Sequence, residues 1–147
     1  MTSQLNVDTI KDKSGSGGVN LKIANTSTYV SDDGASTQNT VQSLSKAWIN
    51  QDGTASGAAA RDSFNISGVT DTGSGNYTNA FTNNMGNANW TSQISANNGT
   101  TDVSGAHDYG FAVVDRAAGN YRIDIENSSN TNTDLSLVDT VVNGDLA

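Results

Sequence analysis

Cysteine and proline are both absent from this 147-residue sequence. Without cysteine no disulfide, thiolate nucleophile or cysteine-based metal site can form. Histidine occurs once, at His107. It stands in a loop just before the most apolar stretch, where an exposed or turn-capping role is expected. Serine and aspartate are common, but no Gly-x-Ser-x-Gly elbow accompanies them to support a Ser–His–Asp arrangement. Basic residues are few, 7 against 15 acidic ones, for a net charge of −8. The arginines, Arg61, Arg116 and Arg122, are scattered along the chain. Phosphate neutralisation needs clustered cations, so nucleic acid is not an expected partner. No run approaches the roughly 18 apolar residues of a membrane span. The N-terminus has neither a basic start nor a continuous apolar stretch, so a secretory signal is not expected. On this reading the protein is made in a cytoplasm and leaves by assembly or lysis.

Apolar residues make up 34% of the chain with its 15 glycines left out, so that with glycine counted the share falls somewhat below the about 45–50% of ordinary globular domains. Ser, Thr, Asn and Gly supply roughly half of all residues, while charged residues make up only 15%. Disordered chains are polar too, but they carry many charges and few aromatic or β-branched residues. Here Tyr, Trp, Phe, Val and Ile recur along the whole length, which reads as many short strands joined by polar turns. A chain of this size with so thin an apolar stock is expected to bury further surface against copies of itself.

The pattern along the chain divides into three. Residues 1–30 read as an N-terminal anchoring arm: Leu5 and Val7 alternate with Asn6, Asp8 and Ile10, a Ser-Gly-rich turn follows at 13–18, and Val19, Leu21 and Ile23 share the next face. The turn lacks the Lys-Ser/Thr ending of a phosphate loop. Residues 31–48 form a polar connector and a short neck. There Val41, Leu44 and Trp48 fall at i, i+3 and i+7, which fits either a one- or two-turn helical seam or a buried segment leading into a strand. The seam reading places a trimer interface on those three residues. Residues 49–147 read as a β head. Asp52-Gly53 is a hairpin signal; Phe64 and Ile66 form a strand that ends in a long turn over 70–76. Tyr77, Asn79 and Phe81 share one face, as do Trp90, Ser92 and Ile94. Tyr109–Val114 is the most apolar run, Tyr121, Ile123 and Ile125 alternate with Arg122, Asp124 and Glu126, and a last strand covers 135–142. Strands so spaced predict an all-β fold, an antiparallel sandwich or small barrel.

Chemistry has little to work with. Asp124 and Glu126 share a strand face roughly 7 Å apart by strand geometry, but opposite three apolar residues their expected place is a solvated outer face. Asp32-Asp33, neighbours in a turn, diverge. A glycan-cleaving pair is therefore disfavoured, and the chain is not expected to be an enzyme. Turn oxygens are abundant enough for calcium, yet no Asp-x-Asp-x-Asp-Gly loop appears, and no cofactor is expected. The Asn-x-Ser/Thr triplets follow from composition.

Two stretches carry a specific signal. Lys46-Ala47-Trp48-Ile49-Asn50-Gln51-Asp52-Gly53-Thr54 and the segment from Arg61 to Met85, with Ser63-Phe64-Asn65-Ile66-Ser67 and Thr70-Asp71-Thr72-Gly73-Ser74-Gly75-Asn76-Tyr77 inside it, resemble a module of tail-fibre and related virion proteins of marine tailed bacteriophages, including those of cyanobacteria. The closing Val141-Val142-Asn143-Gly144-Asp145-Leu146-Ala147 resembles the family's Gly-Asp-Leu-Ala-like end, with Asn143 where an aromatic is usual. Leu5–Ile10 resembles its N-terminal strand. The resemblance implies a homotrimeric virion component, assembled in the host cytoplasm, with the C-terminal domain outermost. It also implies that Trp48, Phe64, Tyr77 and Phe81 are core or interface residues rather than ligand-binding ones, and it brings no catalytic motif. The chain departs in having almost no shaft. The expected function is a fibre-like appendage in host-surface attachment, the alternative a capsid decoration protein, and a glycan-cleaving spike a more distant third. In the first reading Leu5, Val7 and Ile10 anchor the arm to other virion proteins, and loops around Asn76, Asn98 and His107 meet a host glycan.

Overall fold

The computed structural model describes residues 27–31, 34–98 and 109–147. The arm residues Leu5, Val7 and Ile10, the Asp32-Asp33 pair and His107 lie outside them. The chain divides into two compact units, 1–41 and 42–147. In the first, a hairpin pairs β1 (Thr28–Val30) with β2 (Thr37–Asn39), Tyr29 opposite Gln38. Its turn closes with Ser31 N–H donating to Ser36 O at 2.9 Å, and Gly34 takes φ +70°, which glycine adopts without penalty.

The second unit is a sandwich of two antiparallel four-stranded sheets, so of the two expected all-β architectures the sandwich is the one formed. Its strands are β3 (Ala47–Asp52), β4 (Ala59–Phe64), β5 (Ile66–Gly73), β6 (Asn76–Phe81), β7 (Thr91–Asn97), β8 (Tyr109–Val114), β9 (Asn120–Asn127) and β10 (Leu137–Asn143). One sheet has the order β4-β3-β10-β7, the other β5-β6-β9-β8. The period-two pattern decides which faces meet. Ala47, Ile49 and Gln51 of β3 and Val138, Thr140 and Val142 of β10 turn inward against Tyr77, Asn79 and Phe81 of β6 and Tyr121, Ile123 and Ile125 of β9, and all twelve are buried. Phe81, Trp90 and Tyr121 pack at centroid distances of 5.5–5.8 Å. Such contacts are worth about 0.5–1.5 kcal/mol each beyond area burial. The Trp90 indole N–H donates to Ala117 O at 3.1 Å.

Three local expectations change. The helical neck does not form: residues 40–43 are a turn, and from Ala47 the chain is extended. The cause is register, because Ala47, Ile49 and Gln51 bury more as one face of a central strand than the narrow Val41/Leu44/Trp48 seam does as a short helix. The Phe64–Ile66 stretch is two strands, since Asn65 at φ +58° turns the chain from one sheet into the other. The long turn at 70–76 is mostly strand: β5 runs to Gly73, helped by bulges after Ile66 and Asp71.

The most apolar run, Tyr109–Val114, is an edge strand. Phe111, paired with Ile125, faces the core side yet stays 38% exposed, because among the described residues β8 is the last strand of its sheet. Among the described residues no helix is long and apolar enough to cross a membrane.

Candidate binding surface

If one face of β3 is packed, the other must look outward, and there the sequence places Trp48 and Asn50. Trp48 stands directly opposite Phe64 of β4 on one side and Val141 of β10 on the other, and Val141 stands opposite Gln93 of β7. Phe64, Trp48, Val141 and Gln93 thus form one transverse row across all four strands. Directly opposite partners approach within about 4.5–5.5 Å at Cβ. Phe64 is 53% and Trp48 36% exposed.

A second row lies beside it: Asp62, Asn50, Asp139 and Ser95. Asp139 is its centre. The Asn50 amide donates to Asp139 Oδ1 at 2.5 Å, and the Ser95 hydroxyl donates to Oδ2 at 3.4 Å. Two donors orient this carboxylate, which is half-buried on the outer face. Gln93, Ser95, Asp139 and Val141 edge a shallow depression of about 250 Å³.

Beyond the second row, Asp52 forms a 2.6 Å ion pair with Arg61, whose guanidinium also donates to the carbonyls of Gln51, at 3.1 Å, and Ser136. The Thr54 hydroxyl, donating to Asp52 at 2.7 Å, is the main reason the Asp52 carboxyl is held below its usual range; Arg61 adds to this. The cation of this margin is therefore engaged within the fold.

Of the residues singled out in the sequence, Leu44 is 54% exposed and Trp48 lies on the outer face, but the helical spacing that joined them to Val41 is gone. Asn76 is used locally: its amide donates to Ser74 O at 3.1 Å and its oxygen accepts from Arg122 at 3.3 Å. Asn98 is exposed just after β7. Tyr77 and Phe81 are core; Trp48 and Phe64 are not. Asp124 and Glu126 face outward from β9, Asp124 accepting from the Asn132 amide at 2.8 Å.

Sequence reading missed Phe64, Val141, Asp139 and Asn50 as neighbours. Alternation in β3 shows that Trp48 and Asn50 share a face, but only the pairing of β3 with β10, 89 residues apart at Asn50 and Asp139, brings the acid alongside. Among the described residues no group of three or more His, Asp or Glu is placed to hold a metal ion. No family model matches the sequence, and comparison with curated proteins and with solved structures returns no match.

Proposed function

We propose that this chain is a structural component of a tailed-phage virion, a fibre-like homotrimer whose β head takes part in attachment to the host surface. The observation that carries the proposal is the outward row of Phe64, Trp48 and Val141 on a sheet whose central strands, β3 and β10, bury their other face. Apolar side chains gathered on one outward face mark a surface that meets a partner. Lys46–Thr54 and Arg61–Met85, the segments that resemble the phage module, contribute Trp48, Asn50, Asp62 and Phe64 to that face. The thin apolar stock supports self-association, and we keep Val41 and Leu44, ahead of β3, in the trimer contact on the exposure of Leu44 rather than on helical spacing. Trp48 we assign to the host-facing surface.

Light scattering on the purified full chain tests this. The expected mass is three copies of a 15.2 kDa chain, falling to one copy in Leu44→Asp. A monomeric wild-type protein, or a Leu44→Asp variant that stays trimeric, contradicts it.

A further inference from the structure

We propose that the outer face of the β4-β3-β10-β7 sheet binds neutral hexose units of a surface polysaccharide. The proposal rests on the attachment reading above and names its ligand. Three features of the face carry it.

The first is the pairing of rings with polar groups. Pyranose rings have an apolar C–H face and a rim of hydroxyls. The π-face of an indole or benzyl ring is electron-rich and attracts polarised C–H groups. Trp48 and Phe64 supply two such rings from directly paired positions, and in the next same-face row along the strands lie Asp139, Asn50 and Ser95. An oriented carboxylate accepts from sugar hydroxyls, and amide groups both donate and accept.

The second is charge. Asp62 and Asp139 lie on the face, Arg61 at its margin is paired with Asp52, and the chain carries a net charge of −8. An anionic glycan is repelled here, so the ligand is neutral.

The third is size. The apolar part is three side chains, and even a fully buried aromatic covers only about 150–250 Å². That falls short of the about 800 Å² per partner of a standard protein interface. The depression of about 250 Å³ is likewise smaller and more open than enclosed small-molecule sites of about 300–1,000 Å³. Weak contact with a repeating sugar chain fits these dimensions, with affinity supplied by copy number.

The test is retardation of the full-length protein on dextran, mannan and agarose columns, with alginate as the anionic comparison. Trp48→Ala, Phe64→Ala and Asp139→Asn are run beside Glu126→Gln, which lies on the outer face of the other sheet. Retention is expected on at least one neutral matrix and not on alginate. It should drop about tenfold in Trp48→Ala and Phe64→Ala, drop in Asp139→Asn, and stay unchanged in Glu126→Gln, with thermal melts confirming that each variant is folded. A misfolded Trp48→Ala is replaced by Trp48→Phe, in which the sugar-dependent change in tryptophan emission should vanish, since Trp90 is buried. Absence of retention on all three neutral matrices, equal retention on alginate, or wild-type retention by both aromatic variants overturns the proposal. A trimer that binds no sugar defeats this inference alone, whereas a sugar-binding monomer defeats the trimer reading and leaves the sugar site standing.

Discussion

Asn65 and Asn83 are joined by a reciprocal pair of hydrogen bonds: Asn83 N–H donates to Asn65 Oδ1 at 2.7 Å, and Asn65 Nδ2 donates to Asn83 O at 3.0 Å. The same Nδ2 donates to Lys46 O at 3.0 Å, and Asn65 holds φ +58° at the single residue between β4 and β5. One side chain therefore stabilises the crossing between sheets and ties it to the segments ahead of β3 and after β6.

Asn65→Ala should destabilise the head by about 2–4 kcal/mol, because three hydrogen bonds are lost and alanine tolerates the left-handed region poorly. Asn65→Gly should recover about 1 kcal/mol of that by relieving the backbone alone. Urea denaturation midpoints measure both. An alanine variant within about 0.5 kcal/mol of wild type would show that the amide contributes little.

Alkali should unfold the protein through two tyrosines. Burial, reinforced by the hydrogen bond it donates to Asp134 at 2.7 Å, pushes the Tyr77 hydroxyl far above its usual range. Burial also raises Tyr121, against the opposing hydrogen bond that the Asn79 amide donates to its hydroxyl at 3.2 Å. Each folded-state value lies above the unfolded value of about 10. The native state thus holds protons that the unfolded chain releases, and stability, full below pH of about 10, falls as pH rises, by up to about 1.4 kcal/mol per pH unit for each tyrosine. Absorbance at the tyrosinate band should show these two ionising only together with loss of the near-ultraviolet circular dichroism. Ionisation of all four tyrosines while that signal persists would contradict this.

The sandwich is legible in the sequence where alternation is strict and both registers bury the same residues. Tyr121/Ile123/Ile125 and Tyr77/Asn79/Phe81 are read directly as inward faces and are buried. Trp48 misleads, since its spacing from Leu44 and Val41 imitates a helix while the stronger signal, Ala47/Ile49/Gln51, includes a polar residue and an alanine. Tyr109–Val114 misleads differently: apolarity identifies a strand but not whether the strand is central or at an edge. The Trp48–Asp139 neighbourhood is illegible in one dimension because it arises from pairing distant strands, and no local pattern encodes which strands pair.

Gln51 is fully buried, and among the described residues neither its amide nitrogen nor its oxygen finds a hydrogen-bond partner. Unpaired buried polar groups cost about 1–3 kcal/mol. Gln51→Met, of similar length and volume, should therefore raise stability by about 1–2 kcal/mol. A thermal midpoint below that of wild type would contradict the prediction.

Gly75, at φ +69°, leaves no room for a side chain: a Cβ there would run into Ile125 O and lie 2.7 Å from Thr133 N. Both neighbours are backbone and cannot step aside. Gly75→Ala should cost about 3 kcal/mol or more, whereas Gly68→Ala, where the space is open, should stay within about 1 kcal/mol of wild type. Equal melting temperatures for the two variants would contradict this reading of the β5–β6 turn.

The most direct test of the central claim is cryo-electron microscopy of intact phage particles purified from cells that make this protein, with its position and symmetry as the readout. Threefold density at the tail that fits the sandwich, its Trp48 face turned outward, is the predicted result. Density on the capsid lattice would make the chain a decoration protein, and particles without it would contradict the virion assignment altogether.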